Sequence, residues 1–125
     1  MRLLLDTHAL IWALGEPAKL TLASRTAIED PTNEIFVSAA SLWEIAIKAG
    51  DGKLQVPDDL ERAIFAVGFQ PLEIRFPHVH RLRSLPLHHR DPFDRILVAQ
   101  AQHEDLAVVT RDSRIPAYGV RVVAA

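Results

Sequence analysis

Arg2-Leu3-Leu4-Leu5-Asp6-Thr7-His8 is the stretch whose reading decides the fold of this chain. Three consecutive leucines make an apolar run without alternation, the pattern of a short strand buried on both faces in the middle of a parallel sheet. The run ends in a carboxylate. Ligands of open α/β sheets bind beyond the carboxyl ends of the strands, where the strand order reverses. Asp6 thus stands where a functional site is expected. Glu44, Asp94 and Asp112 are the acids that can join it.

The rest of the chain alternates helices and strands around this first one. Ala9–Leu14 reads as a helix, capped near Asp6 or Thr7 and stopped by Gly15 and Pro17. Thr21–Glu29 reads as a second helix, with Leu22 and Ile28 inward, followed by a turn at 30–33. Glu34–Val37 is rich in β-branched and aromatic residues, as strands are. Ser38 ends it and starts a helix over Ala39–Ala49, closed by Gly50 and Gly52. Pro57-Asp58-Asp59 opens a helix over Leu60–Val67. An edge strand containing Pro71 is expected within 69–74, and a short polar helix over 76–84. Asp91-Pro92 starts an apolar helix over Arg95–His103, and strands follow at Ala107–Thr110 and Val120–Val123. This alternation predicts an α/β fold: a three-layer α/β/α sandwich around a mostly parallel sheet.

The 125 residues fit one domain, spanning 1–125, large enough to bury about two-thirds of its unfolded surface. There is no cysteine, which excludes disulfides and thiolate zinc sites. The N-terminal apolar run is too short for a signal-peptide core, and no window resembles a membrane span, so a cytoplasmic protein is expected. The net charge of −2 argues against a general nucleic-acid coat, but the charge is unevenly distributed. Residues 1–70 hold six Lys/Arg against ten Asp/Glu, and residues 71–125 hold eight Arg against six. Arg75, Arg81, Arg83, Arg90 and Arg95 lie in one stretch with four histidines. That stretch is either a solvated basic face or a phosphate-contacting rim beside an acidic pocket.

Two of the four acids, Asp6 and Asp112, directly follow expected strands. Glu44 lies in the second turn of a helix, and Asp94 in the first turn of another. A parallel sheet brings all four places to one edge. Four adjacent carboxylates raise each other's pKa unless cations neutralise them, and hard oxygen donors suit Mg²⁺ or Mn²⁺. A metal so held activates water and stabilises charge on a phosphoryl group. Each acid also has a local alternative. Ser41-Leu42-Trp43-Glu44 matches a capping box, although Ser38 is the better cap. Asp91 before Pro92 is an ideal N-cap, leaving Asp94 to face the helix dipole. Asp6 and Asp112 could each cap the turn that follows. Capping explains the acids one at a time, but not why two strands end in acids at the same edge. His78-x-His80 and His88-His89 lack the i, i+4 spacing of a helical zinc site, and Trp12 and Trp43 read as core or interface aromatics.

Four pieces together resemble the PIN-domain nucleases, specifically the VapC-type toxins of bacterial toxin–antitoxin pairs. They are Leu3-Leu4-Leu5-Asp6-Thr7-His8, the segment Val37 to Ile45, the segment Arg90 to Ala101, and Val109-Thr110-Arg111-Asp112. The resemblance implies a Mg²⁺ or Mn²⁺ site made by Asp6, Glu44, Asp94 and Asp112 for RNA hydrolysis, with Asp94 rather than Asp91 as third acid. It also implies a homodimer and a cognate antitoxin that blocks the pocket. Thr7 and Thr110 are candidates to support a metal-bound water, and Arg95, Arg111 and Arg114 to hold the RNA backbone. The alternatives are a catalytically silent PIN-like module that binds RNA or protein, and a Mg²⁺-dependent receiver or phosphotransfer domain. A receiver wants paired acids after the first strand and a lysine after the last, where this chain has Asp6-Thr7-His8 and no lysine beyond Lys53.

Overall fold

The computed structural model describes residues 1–52, 54 and 56–125. Five parallel strands form one sheet: β1 (Arg2–Leu5), β2 (Glu34–Ser38), β3 (Gln70–Leu72), β4 (Ala107–Thr110) and β5 (Val122–Ala124). Their order is β3-β2-β1-β4-β5. The chain builds outward from β1 to one side, then crosses back to lay β4 on the other. The order therefore reverses between β1 and β4, and the C-terminal ends of these two strands flank the switch point.

Each inner strand divides its side chains between two cores, as the two-residue period of a strand demands. Leu3, Leu5, Ile35, Val37, Ala107 and Val109 face one layer, and Leu4 and Val108 face the other. Leu3, Leu4 and Leu5 are all fully buried. The first layer is closed by α1 (Thr7–Gly15), α2 (Leu22–Glu29), the apolar face of α3 (Ala39–Gly50) and α4 (Leu60–Ala66). The second is closed mainly by α6 (Pro92–Glu104), against which α5 (Phe76–Arg81) packs. Between the layers, Ser38 donates to Gln100 Oε1 at 2.6 Å, and Gln100 donates onward to the Glu73 carbonyl. This lets two fully buried polar side chains satisfy each other.

Boundaries differ from expectation where local chemistry moves them. Helix α1 starts at Thr7 because Asp6 is its cap. Helix α6 starts at Pro92, so Phe93 and Asp94 lie inside it, and it runs to Glu104. The polar helix expected over 76–84 is α5 followed by a 3₁₀ turn at Leu82–Ser84. The edge strand shrinks to three residues, and β5 begins at Val122 rather than Val120. Leu22 does not face inward. It is 81% exposed, because α2 starts at that residue and turns it to solvent.

Candidate active site

Four separate segments deliver the acids to one cleft of about 660 Å³, whose lining includes Asp6, Glu44, Asp94 and Asp112. Asp6 follows β1. Its backbone N–H continues the sheet ladder to the Val109 carbonyl at 3.0 Å, and its Oδ1 accepts from Ala9 N–H at 2.8 Å. Burial raises its pKa above the ordinary carboxylate value, against the hydrogen bond it receives from Thr110. Glu44 projects from the second turn of α3. Ser38, not Ser41, caps that helix, accepting from Ala40 N–H. Glu44 is therefore free of backbone duty. Its Oε1 accepts from the Thr7 hydroxyl at 2.6 Å, and its Oε2 pairs with Lys48 one turn on.

Asp91 caps α6, its Oδ1 accepting from Phe93 and Asp94 N–H at 2.8 and 3.2 Å. Asp94 is thereby turned into the cleft. Burial, and then the Asp91 charge, push its pKa up to about 7, despite the opposing influence of His89. Asp112 follows β4 and is held by Arg114. Oδ1 accepts from Arg114 N–H and Nε at 2.9 and 3.0 Å, and Oδ2 from Nη2 at 2.9 Å. That fork holds the Asp112 carboxyl well below the usual range. Capping and clustering thus coexist: Asp6 and Asp112 serve the backbone with one oxygen while facing the cleft.

Hard oxygen donors converging at the switch point, two of them with raised pKa, fit a small divalent cation. Among the described residues, a second group of metal-ligating types is His78, His103 and Glu104, and its chemistry does not fit. His78 Nδ1 accepts from Arg75 N–H at 3.0 Å, so Nε2 carries the hydrogen directed at Glu104 Oε1, 2.9 Å away. Neither nitrogen of His78 has a lone pair to offer a metal.

Residues 3–120 match the PIN domain family. The chain belongs to that family. It is 31% identical over 119 residues to ribonuclease VapC22 of Mycobacterium tuberculosis, an alignment covering 90% of this chain and 88% of that protein. The fold is similar to that in the crystal structure of VapBC2 from Rickettsia felis bound to a promoter DNA fragment. The TM-score there is 0.73 at 15% identity, over 98% of each chain. It is also similar to DNA-bound VapBC from Salmonella typhimurium, with TM-score 0.68 at 18% identity, over 98% of this chain and 97% of that one.

In this PIN domain the supporting residues divide in a way their sequence positions do not announce. Thr7 holds Glu44, and Thr110 holds Asp6 while also accepting from Asp112 N–H at 3.0 Å. Arg114 and Arg111 line the cleft, Arg111 stacked 4.3 Å from the Trp12 ring and bonded to the Ala125 and Lys19 carbonyls. Arg95 does not line it. Its guanidinium donates to the Pro86 and Leu85 carbonyls and the Tyr118 hydroxyl, and so ties down the loop before α6. Trp43 is not a core residue. It is 59% exposed on the rim of α3, edge-on to Phe93 at 5.0 Å.

Two cleft residues are not apparent from the sequence pattern described above. Lys48 is four positions beyond Glu44 on a helix, and that spacing is a usable signal. His89 lies in a loop of no periodicity, and nothing local marks it.

Proposed function

We propose that this PIN domain is a Mg²⁺- or Mn²⁺-dependent ribonuclease and the toxin of a toxin–antitoxin pair. The observation that carries the reading is the convergence of Asp6, Glu44, Asp94 and Asp112, from four segments, at the reversal point of the sheet. The ribonuclease name of the relative in Mycobacterium tuberculosis supports the reaction class. The VapBC complexes among the structural neighbours support a protein partner, an antitoxin. The chain acts as a homodimer in this reading. Among the described residues, no helix is long and apolar enough to cross a membrane.

Asp6, Asp94 and Asp112 would hold the metal and Glu44 would complete the set. When bound, the metal supplies an activated water and charge stabilisation at the phosphoryl group. The chain's own residues do the rest. Thr7 and Lys48 fix the Glu44 carboxylate so that it orients the attacking water. Arg114 and Arg111, at the mouth of the cleft, present cations to the substrate phosphates. Thr110 keeps Asp6 and the turn into Asp112 aligned.

The test is cleavage of single-stranded RNA with Mg²⁺ by the wild type and by Asp94→Asn. Cleavage that requires Mg²⁺ and disappears in the folded variant is expected. Equal cleavage by both proteins, or none by the wild type with either metal, would overturn the reading.

A further inference from the structure

We propose that His89 is a positioning residue of the acid site: its imidazole N–H, hydrogen-bonded to Asp112 and in close contact with Asp94, sets the spacing of the two carboxylates. The inference rests on the metal-site reading above and adds to it a residue outside the four acids.

His89 is 5% exposed and is fixed from several sides. Its backbone N–H donates to the Tyr118 hydroxyl at 2.9 Å, and its carbonyl accepts from Arg95 Nη1 at 3.4 Å. Its Nδ1 accepts from Asp91 N–H at 3.1 Å, which places the hydrogen on Nε2. Nε2 lies 2.7 Å from Asp112 Oδ2 and 3.0 Å from Asp94 Oδ2. The hydrogen bond goes to Asp112, from the turn after β4, while Asp94, from the first turn of α6, lies at contact distance from the same nitrogen. The ligating atoms of the three residues lie within 4.8 Å of one another. One Mg²⁺ bonds oxygens at about 2.1 Å and so spans a pair up to roughly 4 Å apart.

Without that N–H, two like charges on independent elements repel and separate. The same tautomer argues against His89 as a ligand: Nδ1 has given its lone pair to Asp91 N–H, and Nε2 bears a hydrogen. Asp91 therefore has a second role beyond capping α6, that of fixing the imidazole.

Mn²⁺ binding by the full chain, followed by EPR titration, tests the proposal in the wild type, Asp94→Asn, His89→Phe and His89→Gln. Phe fills the space without a donor; Gln returns an amide N–H. Loss of an outer-shell donor weakens metal binding by about 10–100-fold, so His89→Phe is expected to fall in that range and His89→Gln to recover most of the loss. His89→Phe binding Mn²⁺ as tightly as the wild type, while Asp94→Asn has lost it, overturns the positioning role and leaves the metal site standing. His89→Gln as weak as His89→Phe also overturns it, as does nitrogen hyperfine coupling from a directly bound imidazole. A wild type that takes up no Mn²⁺ removes the metal-site reading and this proposal with it. Should His89→Phe fail to fold, ¹⁵N NMR of the wild-type ring decides. The Nε2–H tautomer is expected, and the Nδ1–H tautomer overturns the assignment.

Discussion

The Thr7 hydroxyl donates to Glu44 Oε1 at 2.6 Å, joining the first residue of α1 to the second turn of α3. Both residues are buried, so the carboxylate has little water to replace a missing partner. Thr7→Val keeps the shape and removes the donor. It should cost about 1–3 kcal/mol of stability, the usual penalty of an unsatisfied buried acceptor. It should also reduce RNA cleavage more than Thr7→Ser does. Chemical denaturation and cleavage rates on the same three proteins check this, and a Thr7→Val protein with both unchanged would exclude a supporting role.

Asp94 and Asp91 are separated by function as well as by position. Asp94→Asn should lower cleavage roughly a hundredfold or more, as when a preorganised charge facing the transition state is removed. Asp91→Asn keeps the Oδ1 that accepts from Phe93 and Asp94 N–H, so it should stay near wild type in stability, because Asn caps a helix about as well as Asp. An inactive Asp91→Asn beside an active Asp94→Asn would reverse the assignment of the third acid.

The raised pKa of Asp94 gives stability a definite dependence on pH. Its ordinary value is 3.8 and its folded value about 7. Between these, the folded state binds more protons than the unfolded state, so stability falls as pH rises through the window. In chelator, wild-type Tm should decline from pH 5 to pH 8 more than that of Asp94→Asn. Asp94→Asn should melt a few degrees higher than the wild type near pH 8. Excess Mg²⁺ should raise the wild-type Tm, since it binds the native state alone, and raise that of the variant less. Scanning calorimetry at the two pH values, with and without Mg²⁺, is the measurement. A metal-insensitive wild type with parallel pH profiles would contradict the shared site.

The arginines of the basic stretch should behave as two classes. Arg81 and Arg83 are exposed. If they meet phosphates, their double alanine variant should flatten the salt dependence of single-stranded RNA binding, by about 0.7 in slope for each phosphate no longer neutralised. Arg95→Ala should leave that slope alone and cost about 1–3 kcal/mol of stability, because it strips partners from the Leu85 and Pro86 carbonyls and the Tyr118 hydroxyl. Equal salt slopes for the wild type and the double variant would make the stretch a solvated face.

Much of this architecture was legible because its signals are local. An unbroken apolar run marks β1, Asp91-Pro92 marks the start of α6, and Ser38 after a β-branched strand marks the start of α3. The acids were legible because two follow strands directly. What stayed hidden depends on tertiary contact. His89 has no periodic neighbour, and its role follows only from the meeting of the turn after β4 with the first turn of α6. Arg95 looks like a phosphate ligand in sequence, yet loop carbonyls from 85 and 86 fold back onto it. Trp43 sits in an apolar stretch, and only the register of α3 against the sheet leaves its ring outside.

The reversal of strand order also governs when the site comes into being. β1 is made first, but its second neighbour is β4, near the far end of the chain. A growing chain that has not yet released β4 has one edge of its central strand unpaired and no Asp112 beside Asp6. Such long-range parallel pairing is slow to form. The proposed catalytic centre thus assembles only once β4 has paired with β1. A nascent chain that stops short of β4 carries three of the four proposed acids and lacks the strand that brings Asp112 beside Asp6.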